Sequence, residues 1–547
     1  MLKQQMMMCV SFWLLVFVHV CCYVSTEAKP NIILIVADDL GWNDVGFHGS
    51  NQIPTPNIDA LAYNGIILNE HYVQSSGTAT RSSLFTGKYP IKLGDVESSG
   101  ARESGFPLGR LSFWCDGGGQ AVVGGSTVFG TGLTGTSVTG MSCGIGIRQW
   151  YSRPINGKYF NGFDLRKDLE PAWDFAGTYA TDAITDYAVE VISNQAEDKP
   201  LFMVISHFAP HAGNEGKLLD APPEAVGKFP HIIDAHRRIF AGMVSKLDDS
   251  VGRVVEALDQ KGVVQNSVII FLSDNGSPGT SRPFPNWGSN YPLRGLKGTL
   301  FEGGLRSVAF IWSPLLGQSS KVSIELIHVS DWLPTLVSAG GGETSLLDTD
   351  IDGIDLWSSL VYDFPSPRNE ILLNIDEVTR CAALRFYNWK LIVGNPEVNE
   401  TSNSYDGESG DENIKPVEYN VSAIQHSPVG KAIIKLSYNP ASEVEYEILR
   451  QQATIKCLPE KAKKSTCDLS NGDICLFDIP KDPCEENNLV NFFPSVVRRM
   501  KRALVDYKSS LVPQPTRSFD IENADPKLFQ FTWNPWLECA NPSCSPT

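Results

Sequence analysis

The chain is 547 residues long, 42% hydrophobic and 20% charged, an ordinary globular composition with enough apolar material for a substantial core. Its formal net charge of −17 argues against a nucleic-acid binder, which needs a basic footprint. An anionic substrate stays open, because basic side chains gathered in a cleft override the sign of the whole surface.

Lys3 opens a nearly apolar run from Val10 to Val24, and Thr26-Glu27-Ala28 offers a small-residue cleavage site. The run is shorter than the ~20 residues of a spanning helix. Residues 1–28 therefore read as a signal peptide, which sends a mature chain with no membrane segment into an oxidising compartment. Asn31 to Ala37 then runs apolar and ends in Asp38-Asp39. Leu201 to Ile205 leads to His207 and His211. Ser267 to Leu272 leads to Asp274-Asn275-Gly276. Short, unalternating, β-branched runs predict strands buried on both faces. Thr178 to Ser193 and His236 to Lys261 carry helical patterns between them. The expected fold is α/β, a mostly parallel sheet sandwiched by helices over residues 29–380. Polar groups then gather outside the carboxyl ends of the strands.

Residues 95–147 break this pattern. Gly117-Gly118-Gly119 and Thr131-Gly132-Leu133-Thr134-Gly135 typify a stretch with no persistent helical or strand period. It reads either as a divergent loop or as a segment translated out of frame. From about 381 to 511 the expected unit is a smaller α+β domain. Leu384 to Val393 reads as one antiparallel strand, Ile474 to Ile479 as another, and Pro494 to Tyr507 as a helix. Residues 512–547 read as a surface tail. Cys115, Cys143, Cys381, Cys457, Cys467, Cys475, Cys484, Cys539 and Cys544 remain after signal removal, an odd set whose cluster from Cys457 to Cys484 suggests local bridges. Sequons at Asn399 and Asn420 fit a secreted glycoprotein. A third, at Asn275, falls on a residue better used elsewhere.

Asp38, Asp39, Asp274 and Asn275 place oxygen donors at one sheet edge, which suits a hard divalent cation, Ca²⁺ or Mg²⁺. The lack of a Cys or His cluster beside them in sequence argues against zinc. Such an ion polarises an oxyanion and stabilises developing charge. Each acidic element alone is as well explained by a cap or a tight turn; two of them, each ending a buried strand, are not.

Gly77-Thr78-Ala79-Thr80-Arg81-Ser82-Ser83-Leu84-Phe85-Thr86-Gly87-Lys88 resembles the sulfatase signature, Cys-x-Pro-Ser-Arg followed by x-x-Leu-x-Thr-Gly-Lys/Arg. Arg81, Leu84, Thr86, Gly87 and Lys88 match. Gly77 stands at the cysteine, Ala79 at the proline and Thr80 at the serine. The resemblance extends through Lys29–Gly46, Pro54–Leu61, Asp274–Gly276, Pro292–Gly304, Glu325–Val337 and Leu476–Leu489, and is strongest to the arylsulfatase B branch, with arylsulfatases I and J as relatives. It implies an alkaline-phosphatase-like fold and one calcium ion on Asp38, Asp39, Asp274 and Asn275. It also implies contacts from Arg81, His211 and Lys297 to the sulfate or the reacting oxygens.

In that family the signature cysteine becomes formylglycine, whose hydrated aldehyde attacks sulfur. Gly77 has nothing to oxidise and no hydroxyl. The family's Gly-Lys-Trp-His-Leu-Gly segment is also missing from residues 95–150. The resemblance therefore implies a hydrolase of aryl or glycosaminoglycan-type sugar sulfates by descent, secreted or lysosomal, with its chemistry impaired. One alternative is a non-catalytic, calcium-dependent binder of sulfated glycans. Others are a decayed or mis-assembled gene product, and a phosphoesterase using Ser76 or Thr78, as serine or threonine serves in the wider superfamily.

Overall fold

The three apolar runs form the middle of one sheet. Asn31–Ala37 lies between Leu201–Ser206 and Ser267–Ser273, parallel to both, with Ile32 opposite Phe202 on one side and Val268 on the other. Every residue of Asn31–Ala37 and of Ser267–Ser273 is buried. Alternation explains why: Ile33 and Ile35 point into one apolar core, while Ile32, Leu34 and Val36 point into a second. Helices Pro56–Asn64, Ala180–Asn194 and Ala235–Lys261 cover the first face. Leu84 and Phe85 of helix Gly77–Thr86, with Trp332, cover the second. Fully burying each such side chain contributes about 1.5–3 kcal/mol, so packing on both faces holds the central strands in place.

This computed structural model describes residues 29–94, 120–124, 138–143, 150–155, 158–167, 170–196, 199–213, 217–282, 284–377, 379–394, 417–436, 440–457, 467–469, 472–513 and 525–532. The expected signal segment, most of the Gly-rich stretch, the sequon at Asn399 and the end of the expected tail lie outside the described residues. The sheet has ten strands, in the order Lys321–Ser323, Ile66–Leu68, Ala309–Trp312, Ser267–Ser273, Asn31–Ala37, Leu201–Ser206, Gln120–Gly124, Val138–Cys143, Leu165–Lys167, Glu170–Pro171. Its centre is parallel. Ala309–Trp312 and the last two strands run antiparallel to their neighbours. The Gly-rich stretch thus departs from expectation in two places: Gln120–Gly124 pairs parallel with Leu201–Ser206, and Val138–Cys143 with Gln120–Gly124. Each is too short, and too closely bounded by glycine, serine or threonine, for a period to show.

The smaller sheet has four antiparallel strands, Glu370–Asp376, Cys381–Phe386, Trp389–Val393 and Cys475–Asp478. It begins ahead of the expected boundary at 380. Leu384 to Val393 is not one strand: Tyr387 takes a left-handed φ of 47° and turns the chain into a hairpin. Helix Pro494–Lys508 lays Val497, Met500 and Leu504 on this sheet. Helices Val421–His426, Pro428–Leu436 and Glu443–Ala453, not foreseen within the span expected of the small domain, bury Ile424, Val429, Ile433, Tyr446 and Leu449 in the first core of the large one. Disulfides join Cys457 to Cys484 and Cys467 to Cys475. No helix among the described residues is long and apolar enough to cross a membrane.

Candidate functional site

Helix Gly77–Thr86 begins at the carboxyl ends of the central strands, with Ser76 at its N-cap and Gly87 closing it in a left-handed conformation at φ 67°. The four-residue spacing puts Arg81 one turn beyond Gly77 on the same face. Its guanidinium reaches back to the helix start, with Nη2 3.1 Å from Asp38 Oδ2 and Nη1 2.7 Å from Asp274 Oδ2. Gly77 is buried beneath this pair. A Cβ built on Gly77 would stand 2.2 Å from Asp274 Oδ2 and 2.5 Å from Arg81 Nη1. Ser76 Oγ is buried and makes no hydrogen bond among the described residues, whereas Thr78 is exposed. Downstream, the matched half of the signature is structural: Leu84 fills the second core, and Lys88 pairs with Asp350 at 2.7 Å.

The strand ends supply the floor. Asp38 N donates to Ala209 O at 3.2 Å, Asp274 N to Ala37 O at 3.0 Å, and Asp39 N to Asp274 Oδ1 at 3.0 Å. Asp39 adopts φ 65°, a left-handed turn that aspartate tolerates better than most side chains. Asn275 Nδ2 donates to Asp39 Oδ1 at 2.6 Å and to Gly276 O at 2.8 Å. Gly276 follows where no side chain fits, since a Cβ there would lie 1.7 Å from Gly303 O.

Two loops bring the remaining groups. After Leu201–Ser206 the chain carries His211 so that Nε2 stands 3.5 Å from Asp39 Oδ2. Lys297 reaches in from the other side, with Nζ 2.6 Å from Asp39 Oδ1. Its backbone N donates to Ser277 O at 3.1 Å, and Gly298 N to Ser75 O at 2.8 Å, tying this loop to the start of the signature helix. All eight residues singled out from the sequence therefore meet in one place: Asp38, Asp39, Gly77, Arg81, His211, Asp274, Asn275 and Lys297.

The charges are heavily coupled. Burial opposes ionisation of Asp38, but Arg81, His211 and Lys297 outweigh it and hold its carboxyl below the ordinary range. Asp274 goes the other way: burial and the neighbouring Asp38 push it up to about 7. Asp39 Oδ2 and Asn275 Oδ1 are buried and accept no hydrogen bond among the described residues. Crowded carboxylates with orphaned oxygens fit a hard divalent cation, which Asp38, Asp39, Asp274 and Asn275 would hold through oxygen alone. The sequence showed no histidine next to these acids, yet folding brings one there. Asp38, Asp39 and His211 offer ligand atoms within 4.8 Å of one another.

Sequence reasoning missed the groups that hold these loops. Asn286 Nδ2 donates to Asp39 O at 3.0 Å and Pro210 O at 3.1 Å, pinning both acid and histidine loops. The Lys297 loop is anchored from behind by a buried ion cluster. Lys390 Nζ lies 2.9 Å from Glu302 Oε1 and 2.8 Å from Glu485 Oε1, and Glu485 Oε2 accepts from Glu302 N at 2.6 Å. Nothing in the local pattern around Asn286 marks it. Lys390 gave one signal, a cation set between Trp389 and Leu391 of a predicted strand that also holds Arg385.

The chain matches the Sulfatase family over residues 30–342. It is 30% identical to mouse arylsulfatase J over 558 residues, covering 94% of this chain and 81% of that protein. It is 28% identical to bovine arylsulfatase A, over 67% of this chain and 75% of that one. It is 27% identical to human N-acetylgalactosamine-6-sulfatase, over 61% and 66%. Among solved structures, Ps i-CgsB in complex with k-i-k-neocarrahexaose superposes with a TM-score of 0.63 at 22% identity, covering 91% of this chain and 97% of that one. BT4656 in complex with its substrate D-glucosamine-2-N,6-O-disulfate gives 0.54 at 16%, over 88% and 98%. These structural likenesses speak to the fold.

Proposed function

Because this chain belongs to the sulfatase family, we propose that it is an arylsulfatase B-like protein that recognises sulfate esters of sugars and does not turn them over. Gly77 is the observation that carries this reading. At the start of the signature helix, directly under Arg81 and Asp274, the chain has no side-chain atom to attack sulfur.

The remaining groups support recognition. Arg81 and Lys297 are cations in a largely water-excluded pocket, and their attraction to Asp38, Asp39 and Asp274 outweighs the cost of burial and holds both protonated. With His211 they present donors suited to sulfate oxygens through charge-assisted hydrogen bonds. A calcium ion, when bound by Asp38, Asp39, Asp274 and Asn275, supplies a further positive centre that polarises an S–O bond. Sulfated sugars as the ligand class agree with the human N-acetylgalactosamine-6-sulfatase relative and with the disulfated glucosamine described as the substrate of BT4656.

The test pairs two measurements on the purified chain. Aryl sulfate hydrolysis should stay at the no-enzyme rate. A sulfated N-acetylgalactosamine should bind in calorimetry, and Arg81→Gln or Lys297→Ala should weaken it at least tenfold. Measurable turnover removes the reading of lost chemistry; binding indifferent to both substitutions removes the reading of the pocket.

A second reading rests on Ser76, whose buried, unpartnered hydroxyl sits one residue before Gly77. If it replaces the lost nucleophile, the chain hydrolyses a phosphate ester such as p-nitrophenyl phosphate, and Ser76→Ala abolishes that activity.

A further inference from the structure

Helix Pro494–Lys508 has two contrasting faces. Val497, Met500 and Leu504 are buried against the small sheet. The outward face carries Arg498, Arg499, Lys501 and Arg502, all exposed. At 100° per residue, Arg498, Lys501 and Arg502 share one side of the helix, with Arg499 on its flank. Several other surface cations are neutralised: Arg253 pairs with Asp186, Lys246 with Asp182 and Lys435 with Asp259. None of the four on this helix makes an ion pair among the described residues. Concentrated, unneutralised positive charge on a chain of net charge −17 needs a reason.

A second observation lies beside it. The hairpin at Tyr387 and the residues leading into the helix expose aromatic rings: Phe492 is 72% exposed, Tyr387 54% and Phe493 38%. Trp389 packs on Phe493 with ring centroids 4.6 Å apart. The Arg499 guanidinium lies 4.3 Å from the centre of the Phe386 ring, which joins the aromatic strip to the basic face. One guanidinium thus joins the exposed rings to the basic face of the helix.

We propose that this surface, formed by helix Pro494–Lys508 and the Tyr387 hairpin, is a binding site for the chain of a sulfated polysaccharide, separate from the pocket at Gly77. Guanidinium groups meet the planar edge of a sulfate oxyanion in bidentate fashion. Aromatic faces take the apolar faces of sugar rings. Short basic clusters of this kind are a recognised heparin-type signal. A stiff nucleic-acid duplex fits less well, because beyond the patch it would meet the negative remainder of the protein. A lipid surface is the competing occupant, since Phe492, Tyr387 and Val505 are exposed beside the basic face, and binding to anionic vesicles as tight as that to heparin overturns the proposal. The proposal does not depend on the pocket's reading.

The test uses the full chain on immobilised heparin and chondroitin sulfate across a salt series. Combining Arg498→Ser, Lys501→Ser and Arg502→Ser should weaken binding by roughly tenfold or more and flatten its salt dependence by about one unit per charge removed. Phe492→Ser should weaken binding and leave the salt slope unchanged. Melting temperatures close to the parent's, expected for exposed positions, show that the variants fold. A monosulfated N-acetylgalactosamine should bind the triple variant as it binds the parent. The proposal is overturned if the triple variant holds the polysaccharides as tightly as the parent, or if Arg81→Gln abolishes that binding in its place. Competition by duplex DNA equal to that by heparin would also overturn it, reducing the surface to an unselective polyanion face.

Discussion

Gly77 and Asp274 cannot both keep their present positions if residue 77 acquires a side chain, because its Cβ would stand 2.2 Å from Asp274 Oδ2. The absent side chain of Gly77 is the space in which Asp274 meets Arg81 at 2.7 Å.

Restoring cysteine alone should fail. Gly77→Cys, coexpressed with the formylglycine-generating enzyme, is expected to show no aryl sulfate turnover above background. Displacing a buried ion pair should also lower stability by about 1–3 kcal/mol, as overpacking does. Mass spectrometry of the residue 77 peptide together with a denaturant titration checks both halves. Vigorous turnover would show that Asp274 and Arg81 yield readily.

The carboxylate cluster predicts a cation effect on stability. Calcium at 100 times its Kd should add about 2.7 kcal/mol to unfolding, and a chelator should reverse it. Asp39→Asn should abolish the effect. Asparagine tolerates the left-handed backbone at φ 65°, so this change tests charge rather than conformation. A melting temperature indifferent to calcium, magnesium and chelator would count against cation binding.

His71 makes acid sensitivity testable at one residue. Its Nε2 accepts from Trp332 Nε1 at 3.0 Å, so the ring proton sits on Nδ1, 2.9 Å from Ser307 Oγ. Burial pushes this imidazole down to about 3, against 6.5 unfolded. Its stabilising contribution is complete above pH 6.5 and is lost as pH falls toward 3, because the unfolded chain takes up the proton first. Burial raises Asp59 to about 6 and Asp248 to about 8, and these act in the opposite sense. The comparison is therefore between parent and His71→Asn. From pH 7 to pH 5 the parent should lose about 2 kcal/mol more than the variant. Parallel pH curves would mean that His71 does not stay neutral.

Lys390 is fully buried between Glu302 and Glu485. Lys390→Met leaves two carboxylates without their cation and should cost about 3–5 kcal/mol at neutral pH. Burial already raises Glu485 to about 7, so protonation partly relieves the variant and the loss should be smaller at pH 5 than at pH 8. Urea unfolding at the two values checks the sign. An equal loss at both would show that no carboxyl takes up a proton.

Much of this was visible in the chain itself. Asn31–Ala37, Leu201–Ser206 and Ser267–Ser273 announce themselves because strands buried on both faces need no alternation, and each hands its polar group to the same sheet edge. Arg81 was legible through the resemblance of Gly77–Lys88 to the sulfatase signature. What stayed hidden was decided at long range. Tyr387 turns the alternating run Leu384 to Val393 into a hairpin by a backbone angle that no pattern encodes. Ile433 and Tyr446 fall within the span expected of the small domain, and they pack into the core of the large one. His211 approaches Asp39 only after the loop following Leu201–Ser206 is pinned by Asn286.

Ile33 and Ile35 on one side, and Leu34 and Val36 on the other, anchor the central strand without help from any group at its polar end. Architecture and reactivity are thus separable in this molecule. On the proposed reading, loss of the attacking atom leaves the cohesion of the frame nearly untouched. A lineage can then keep the vessel and put it to another use.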